Sequence, residues 1–132
     1  MRVAFATEDM QRVDAHFGWA RNLAIYEVSP DGFQFAEVVQ FDGDPKEDGS
    51  EDKLTPKIDA IRDCAIVYVA AIGGSAAAKV VNAKVHPVKV PGPQGIADIL
   101  YRLVAVLQGT PPPWLRKAML KGRERHFDFD GE

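Results

Sequence analysis

One cysteine stands in 132 residues, and that scarcity rules out whole classes of chemistry. A lone thiol, Cys64, closes no disulfide within the chain. It cannot build a four-cysteine zinc or iron–sulfur site either, because such sites need several thiolates on one centre. Any metal cluster bound here would be held loosely, through few protein ligands. No run reaches the ~18 apolar residues of a bilayer span, so no membrane partner is expected. The opening MRVAF runs directly into a strand pattern and lacks the layout of a signal peptide. With one free thiol and no export signal, the expected location is the cytoplasm. Positive charge is also scarce: 16 Lys and Arg stand against 19 Asp and Glu, for a formal charge of −3. That balance argues against a broad nucleic-acid surface, which needs clustered Lys and Arg.

What is present fits one folded unit. Apolar residues make up 46% and charged residues 27%, the balance of a globular domain large enough to bury a core. Residues 2–7 (RVAFAT), 23–29 (LAIYEVS) and 33–41 (FQFAEVVQF) read as strands. A polar loop, residues 8–22, separates the first two, and Pro30-Asp31-Gly32 makes a hairpin of the second and third. Residues 42–53 carry Asp42, Asp44, Glu47, Asp48, Glu51 and Asp52 and read as a solvated connector. Thr55 and Pro56 suit the start of a helix whose Leu54, Ile58 and Ile61 share one face. Residues 65–72 (AIVYVAAI) form an unbroken apolar run, the signature of a central strand covered on both faces.

Gly73-Gly74-Ser75 ends that run and opens a second helix. Residues 85–90 (VHPVKV) read as a strand that Pro87 confines to an edge. Ile96, Ile99, Leu100, Leu103, Val104 and Leu107 form the clearest amphipathic stripe in the chain. Gly109 and Pro111-Pro112-Pro113 end that helix. The expected class is therefore α/β, a mixed five-stranded sheet with helices on its faces in the order β-β-β-α-β-α-β-α. The most economical layout sets the first and fourth strands side by side at the centre. Ligands in such sheets favour the carboxyl ends of the strands, where the loops after strands one and four would meet. Residues 1–110 form the α/β domain, and residues 111–132 a tail with a short amphipathic segment. That segment, with Trp114, Leu115, Met119 and Leu120, suits either docking on the body or binding a partner.

Several residues could carry chemistry, each with a plainer reading beside it. His16, in the first loop, could ligate iron or zinc with Asp14 orienting its second nitrogen. It also reads as an ordinary loop histidine. Gly73, Gly74 and Ser75 place backbone N–H groups and a hydroxyl at a helix start, which attracts anions. They also read as a tight turn with a serine cap. No Walker A lysine follows, so a nucleoside triphosphate site is not expected. Cys64 could offer a thiolate, or be a small buried hydrophobe. His86 and His126 read as incidental.

The segments RVAFATEDMQRVDAHFG (residues 2–18), DCAIVYVAAIGGSAAAKVV (63–81), VHPVKV (85–90) and GTPPPWLRKAML (109–120) resemble the NifX/NafY/NifB C-terminal family of nitrogenase cofactor-assembly proteins. The resemblance covers nearly the whole chain. It lacks the radical-SAM cysteine motif of full-length NifB. It implies a ribonuclease-H-like sheet topology and a non-enzymatic carrier. The cargo so implied is an iron–sulfur precursor of the iron–molybdenum cofactor (FeMo-co), the NifB cofactor, bound transiently. The implied partners are NifB and NifEN. The HFG motif, here His16, Phe17 and Gly18, becomes the leading cofactor-binding element, with His16 the metal ligand. Gly73, Gly74 and Ser75 join it by geometry, and Cys64 stays as a secondary metal candidate.

Two other function classes stand beside the carrier. A ribonuclease-H-like hydrolase would need convergent carboxylates, yet the first and fourth strands contain no Asp or Glu. An interaction module that regulates nitrogenase assembly would bind no cluster at all. The free protein is expected to be a monomer.

Overall fold

The computed structural model describes residues 1–41 and 54–130, with side chains described through residue 121. The acidic connector at residues 42–53 lies outside the described residues, and so does the side chain of His126. Among the described residues, seven strands and four α-helices follow in order. They are β1 (Arg2–Thr7), β2 (Arg12–Val13), β3 (Asn22–Ser29), β4 (Gly32–Gln40), α1 (Leu54–Ala60), β5 (Ile66–Val69), α2 (Gly74–Asn82), β6 (His86–Lys89), β7 (Gln94–Gly95), α3 (Ile96–Gln108) and α4 (Pro113–Asp130). Five strands form one mixed sheet in the order β4-β3-β1-β5-β6. β1 pairs antiparallel with β3 and parallel with β5. The expected central pair is thus present, and the Pro87 strand, β6, is an edge.

Side-chain alternation along the central strands divides the core in two, because successive residues of a strand point to opposite faces. Ala4, Ala6, Val67 and Val69 pack with Ile58, Ile61, Ala76 and Val80 of the α1 and α2 side. Val3, Phe5, Ile66 and Tyr68 pack with Ile96, Ile99, Leu100 and Leu103 of α3. Phe5 and Tyr68 stack across the strand pair, 5.2 Å apart and nearly coplanar. Because β1 and β5 run parallel, their carboxyl ends open at the same end of the sheet.

Three elements differ from the sequence expectation. The loop after β1 is not simply polar. Val13, Ala15, Phe17 and Ala20 are buried within it, and β2 pairs with β7 beside the main sheet. The fourth strand stops at Val69 rather than residue 72. Ala70 and Ala71 turn instead to the first loop: Ala70 N–H donates to Ala15 O at 3.0 Å, and Phe17 N–H to Ala71 O at 2.8 Å. The tail is a helix of 18 residues. Pro113 is its first residue, where a missing N–H costs little. Leu115 is buried in the α3-side core, and Ala118 and Met119 pack against it. Lys121 Nζ donates to the carbonyls of Cys64 (2.8 Å), Ala83 (3.3 Å) and Lys84 (2.9 Å), fastening α4 to the body.

Candidate functional site

The first loop is held by its own carboxylates. Asp9 accepts from the N–H groups of Gln11 and Arg12, both at 2.8 Å, and from Arg12 Nε at 2.8 Å. Those bonds hold Asp9 far below the usual carboxylate range. Asp14 Oδ1 accepts from Glu8 N–H at 2.8 Å. Asp14 is therefore engaged in shaping the loop, which corrects its expected role of orienting His16. Past Asp14 the chain runs beside the end of β5, and His16 bridges Ala71 in parallel.

His16 is oriented by its own turn. Its Nδ1 accepts from Gly18 N–H at 3.1 Å, at the start of a short 3-10 turn spanning Phe17–Trp19. A neutral imidazole that accepts at Nδ1 carries its proton on Nε2. Burial, and then the charge of Lys57, push the His16 pKa down, so that neutral form is favoured near pH 7. The Trp19 ring stacks on His16, with centroids 5.1 Å apart, and is 64% exposed. Lys57, only 6% exposed, donates from Nζ to Gly18 O at 2.7 Å and lies 5.3 Å from the Phe41 ring centroid. The Gly18 backbone is thus gripped from both sides, by His16 and by Lys57. A Cβ on Gly18 would sit 3.5 Å from the His16 ring, an ordinary contact, so the glycine is not demanded by space.

The second half of the candidate site is the start of α2. Gly73 is the N-cap in extended conformation and makes no side-chain cap bond. Gly73, Gly74 and Ser75 are exposed. Ser75 lies inside the first turn and is not the cap that its sequence position suggested. A Cβ at Gly73 or Gly74 would meet no atom within 4 Å, so the helix start faces open space. The uncapped N–H groups and the positive end of the helix dipole favour an anion there. The His16 bridge to Ala71 sets the two halves beside each other, two residues before Gly73.

Other expected residues lie elsewhere. Phe17 is fully buried; it anchors the loop and offers no surface to a ligand. Cys64 is also fully buried, and burial pushes its thiol up to about 12. It precedes β5 while His16 bridges Ala71 beyond that strand's other end, on the order of 20 Å away at ~3.3 Å per residue. A buried, protonated thiol at the far end of the sheet is a core residue. His86, at the start of the edge strand, stacks on Trp114 with centroids 4.4 Å apart. Among the described residues no three His, Cys, Asp or Glu side chains gather into a metal-holding group. Sequence reasoning missed Lys57 and Trp19. Lys57 was detectable, because Leu54, Lys57, Ile58 and Ile61 complete the i, i+3, i+4, i+7 stripe of a buried helix face.

Residues 1–106 match the family described as dinitrogenase iron-molybdenum cofactor. The chain belongs to this family. Membership associates it with biosynthesis of the iron–molybdenum cofactor and with nitrogen fixation. It is similar to Protein NifX of Herbaspirillum seropedicae, at 62% identity over 132 residues, covering 100% of this chain and 90% of that one. It is also similar to Protein NifX of Azotobacter vinelandii, at 41% identity, covering 97% and 82%. A stretch of 87 residues is 36% identical to part of the FeMo cofactor biosynthesis protein NifB of Bradyrhizobium diazoefficiens, covering 65% of this chain and 17% of that protein. The crystal structure of PH0822 shares the fold, with TM-score 0.61 and 22% identity over 86% of this chain and 97% of that one. No described helix is long and apolar enough to cross a membrane.

Proposed function

We propose that this family member is a non-enzymatic carrier that binds iron–sulfur precursors of the nitrogenase active-site cofactor and hands them on during assembly. The observation that supports this most is the pairing of the His16 turn with the open, uncapped start of α2 at one end of the sheet. Iron–sulfur clusters are anionic and sulfide-rich. N–H groups at residues 73–75 and on His16 suit such a surface, since charge-assisted hydrogen bonds are the stronger kind. In the tautomer set by Gly18, His16 Nε2 donates to cargo. Iron ligation by that nitrogen instead needs the proton moved to Nδ1 and the Gly18 bond given up. Either mode rests on one imidazole and backbone groups, which suits a carrier that must release what it holds. The proposed contact set is His16, Gly18, Gly73, Gly74 and Ser75, with Phe17 as the internal anchor of the turn and Cys64 left out. NifB as donor and NifEN as acceptor fit this role. We read the five-stranded sheet as ribonuclease-H-like in topology, the cargo-free protein as a monomer and its location as the cytoplasm.

An anaerobic titration with the NifB-derived precursor tests the reading. Iron that co-elutes with the wild type on gel filtration and is lost from His16→Ala is the expected result. No iron on either protein would overturn the carrier and leave an interaction module as the better account.

A further inference from the structure

Away from the crevice, α4 walls a second concavity. A cleft of about 470 Å³ lies between the end of α2, the start of β6 and the first turns of α4. Its floor and walls include Val81, Val85, His86, Trp114 and Leu120. Three of these are apolar groups left in solvent: Val81 is 56%, Leu120 45% and Trp114 38% exposed. The buried anchor of α4 is Leu115, on another face of that helix from this lining. The stack of Trp114 on His86 fixes the indole before any partner arrives. A pre-set aromatic is the group that most often dominates binding energy at an interface.

The charge of the cleft opposes that of the chain. Its described lining holds three lysines, Lys84, Lys117 and Lys121, and no Asp or Glu, in a protein of formal charge −3. Lys121 is engaged by backbone carbonyls. Lys84 and Lys117 are exposed and enter no ion pair among the described residues. The element that completes the cleft, α4, lies beyond residues 1–106, the stretch that matches the family description. Residues 1–106 contain both the His16 turn and the start of α2, and α4 adds a separate surface.

We propose that this cleft is a docking site for an acidic, amphipathic segment of another protein, with an apolar side chain seated against Trp114, Val81 and Leu120 and carboxylates against Lys84 and Lys117. A purely anionic ligand leaves the apolar lining unused. A purely apolar one leaves the two lysines unanswered. The combination selects a peptide carrying both, and the positive rim steers its approach. The proposal does not depend on the carrier reading.

The test uses the full chain, labelled with ¹⁵N, and a synthetic helical peptide of about twelve residues with Glu and Asp on one face and Leu on the other. Saturable shift changes confined to residues 81–86 and 114–121 are expected. Trp114→Ala should weaken binding about tenfold. The double variant Lys84→Glu, Lys117→Glu should lose the acidic peptide and gain its Lys-substituted counterpart. Circular dichroism confirms that each variant is folded, and both lysines are exposed, so the charge swap reads binding alone. Absence of saturable shifts would overturn the proposal. So would equal binding of the Lys-substituted peptide by the wild type, the same shifts from acetate or anionic vesicles, or self-association through these residues.

Discussion

Replacing Lys57 by methionine keeps an unbranched stem of nearly the same reach and removes the ammonium group. In the wild type that group, on a residue 6% exposed, donates to Gly18 O at 2.7 Å. A charged hydrogen bond of this kind contributes about 1.5–3 kcal/mol, and the carbonyl it leaves behind is partly buried. Taking about 2 kcal/mol as the centre, the thermal midpoint should fall by roughly 5–10 °C for a domain of this size. The loss also reaches His16. Lys57 is the second cause of its depressed pKa, after burial, so the variant's imidazole should titrate at higher pH than the wild type's. The assay pairs thermal melts with ¹⁵N chemical shifts of His16 across ~pH 5–8, the window of its ordinary titration. The shifts also report which nitrogen carries the proton. A Lys57→Met protein with an unchanged midpoint and an unchanged His16 titration would refute the claim that this lysine holds the turn.

Other consequences follow from burial and charge. Cys64, with its thiol pushed up to about 12, should resist thiol reagents until the protein unfolds. On the proposed carrier reading, Cys64→Ala should bind the iron–sulfur precursor as the wild type does, at a cost of about 1 kcal/mol in stability; loss of iron from the folded variant alone would make the cysteine a ligand after all. Leu115→Ala should cost about 2–4 kcal/mol and speed proteolytic cleavage within α4, because that side chain is the helix's buried anchor. Cleavage at the wild-type rate would mean that α4 is held by other contacts. His16 and His86 are both held below the ordinary histidine pKa by burial. The unfolded chain then takes up protons first, so stability is full above about pH 6.5 and falls as pH drops through the folded-state values. Urea midpoints that stay level or rise on acidification from ~pH 7.5 to ~pH 5.5 would contradict the sign.

Local pattern carried most of the architecture. The alternation in residues 2–7, the unbroken apolar run after Cys64 and the stripe from Ile96 to Leu107 each reflect a periodicity that the backbone geometry imposes. They led to β1, β5 and α3 within a few residues. Pro87 fixed an edge because it lacks the N–H that a central strand must donate. Where pattern failed, contacts distant in sequence were deciding. The Val13, Ala15, Phe17 alternation in the first loop gains meaning only when Ala70 and Ala71 arrive to pair with it. The weakly amphipathic tail becomes a helix because Leu115 and Lys121 find partners on the body.

The site divides along the same line. The sequence by itself determined that no multi-cysteine metal centre can exist here, because the thiols are not in the chain. It also determined the two loops that carry the candidate site, because strand and helix ends are written in local residue types. Only the tertiary structure decided which candidate side chains are exposed and what they are bonded to. Burial removed Cys64 and Phe17 from reach, and Asp14 was bound to Glu8 instead of His16. Lys57, 39 positions from Gly18 in sequence, became the group that grips the histidine's turn. Exposure, hydrogen-bond partnership and proton affinity depend on neighbours, and neighbours are set by packing across the whole chain.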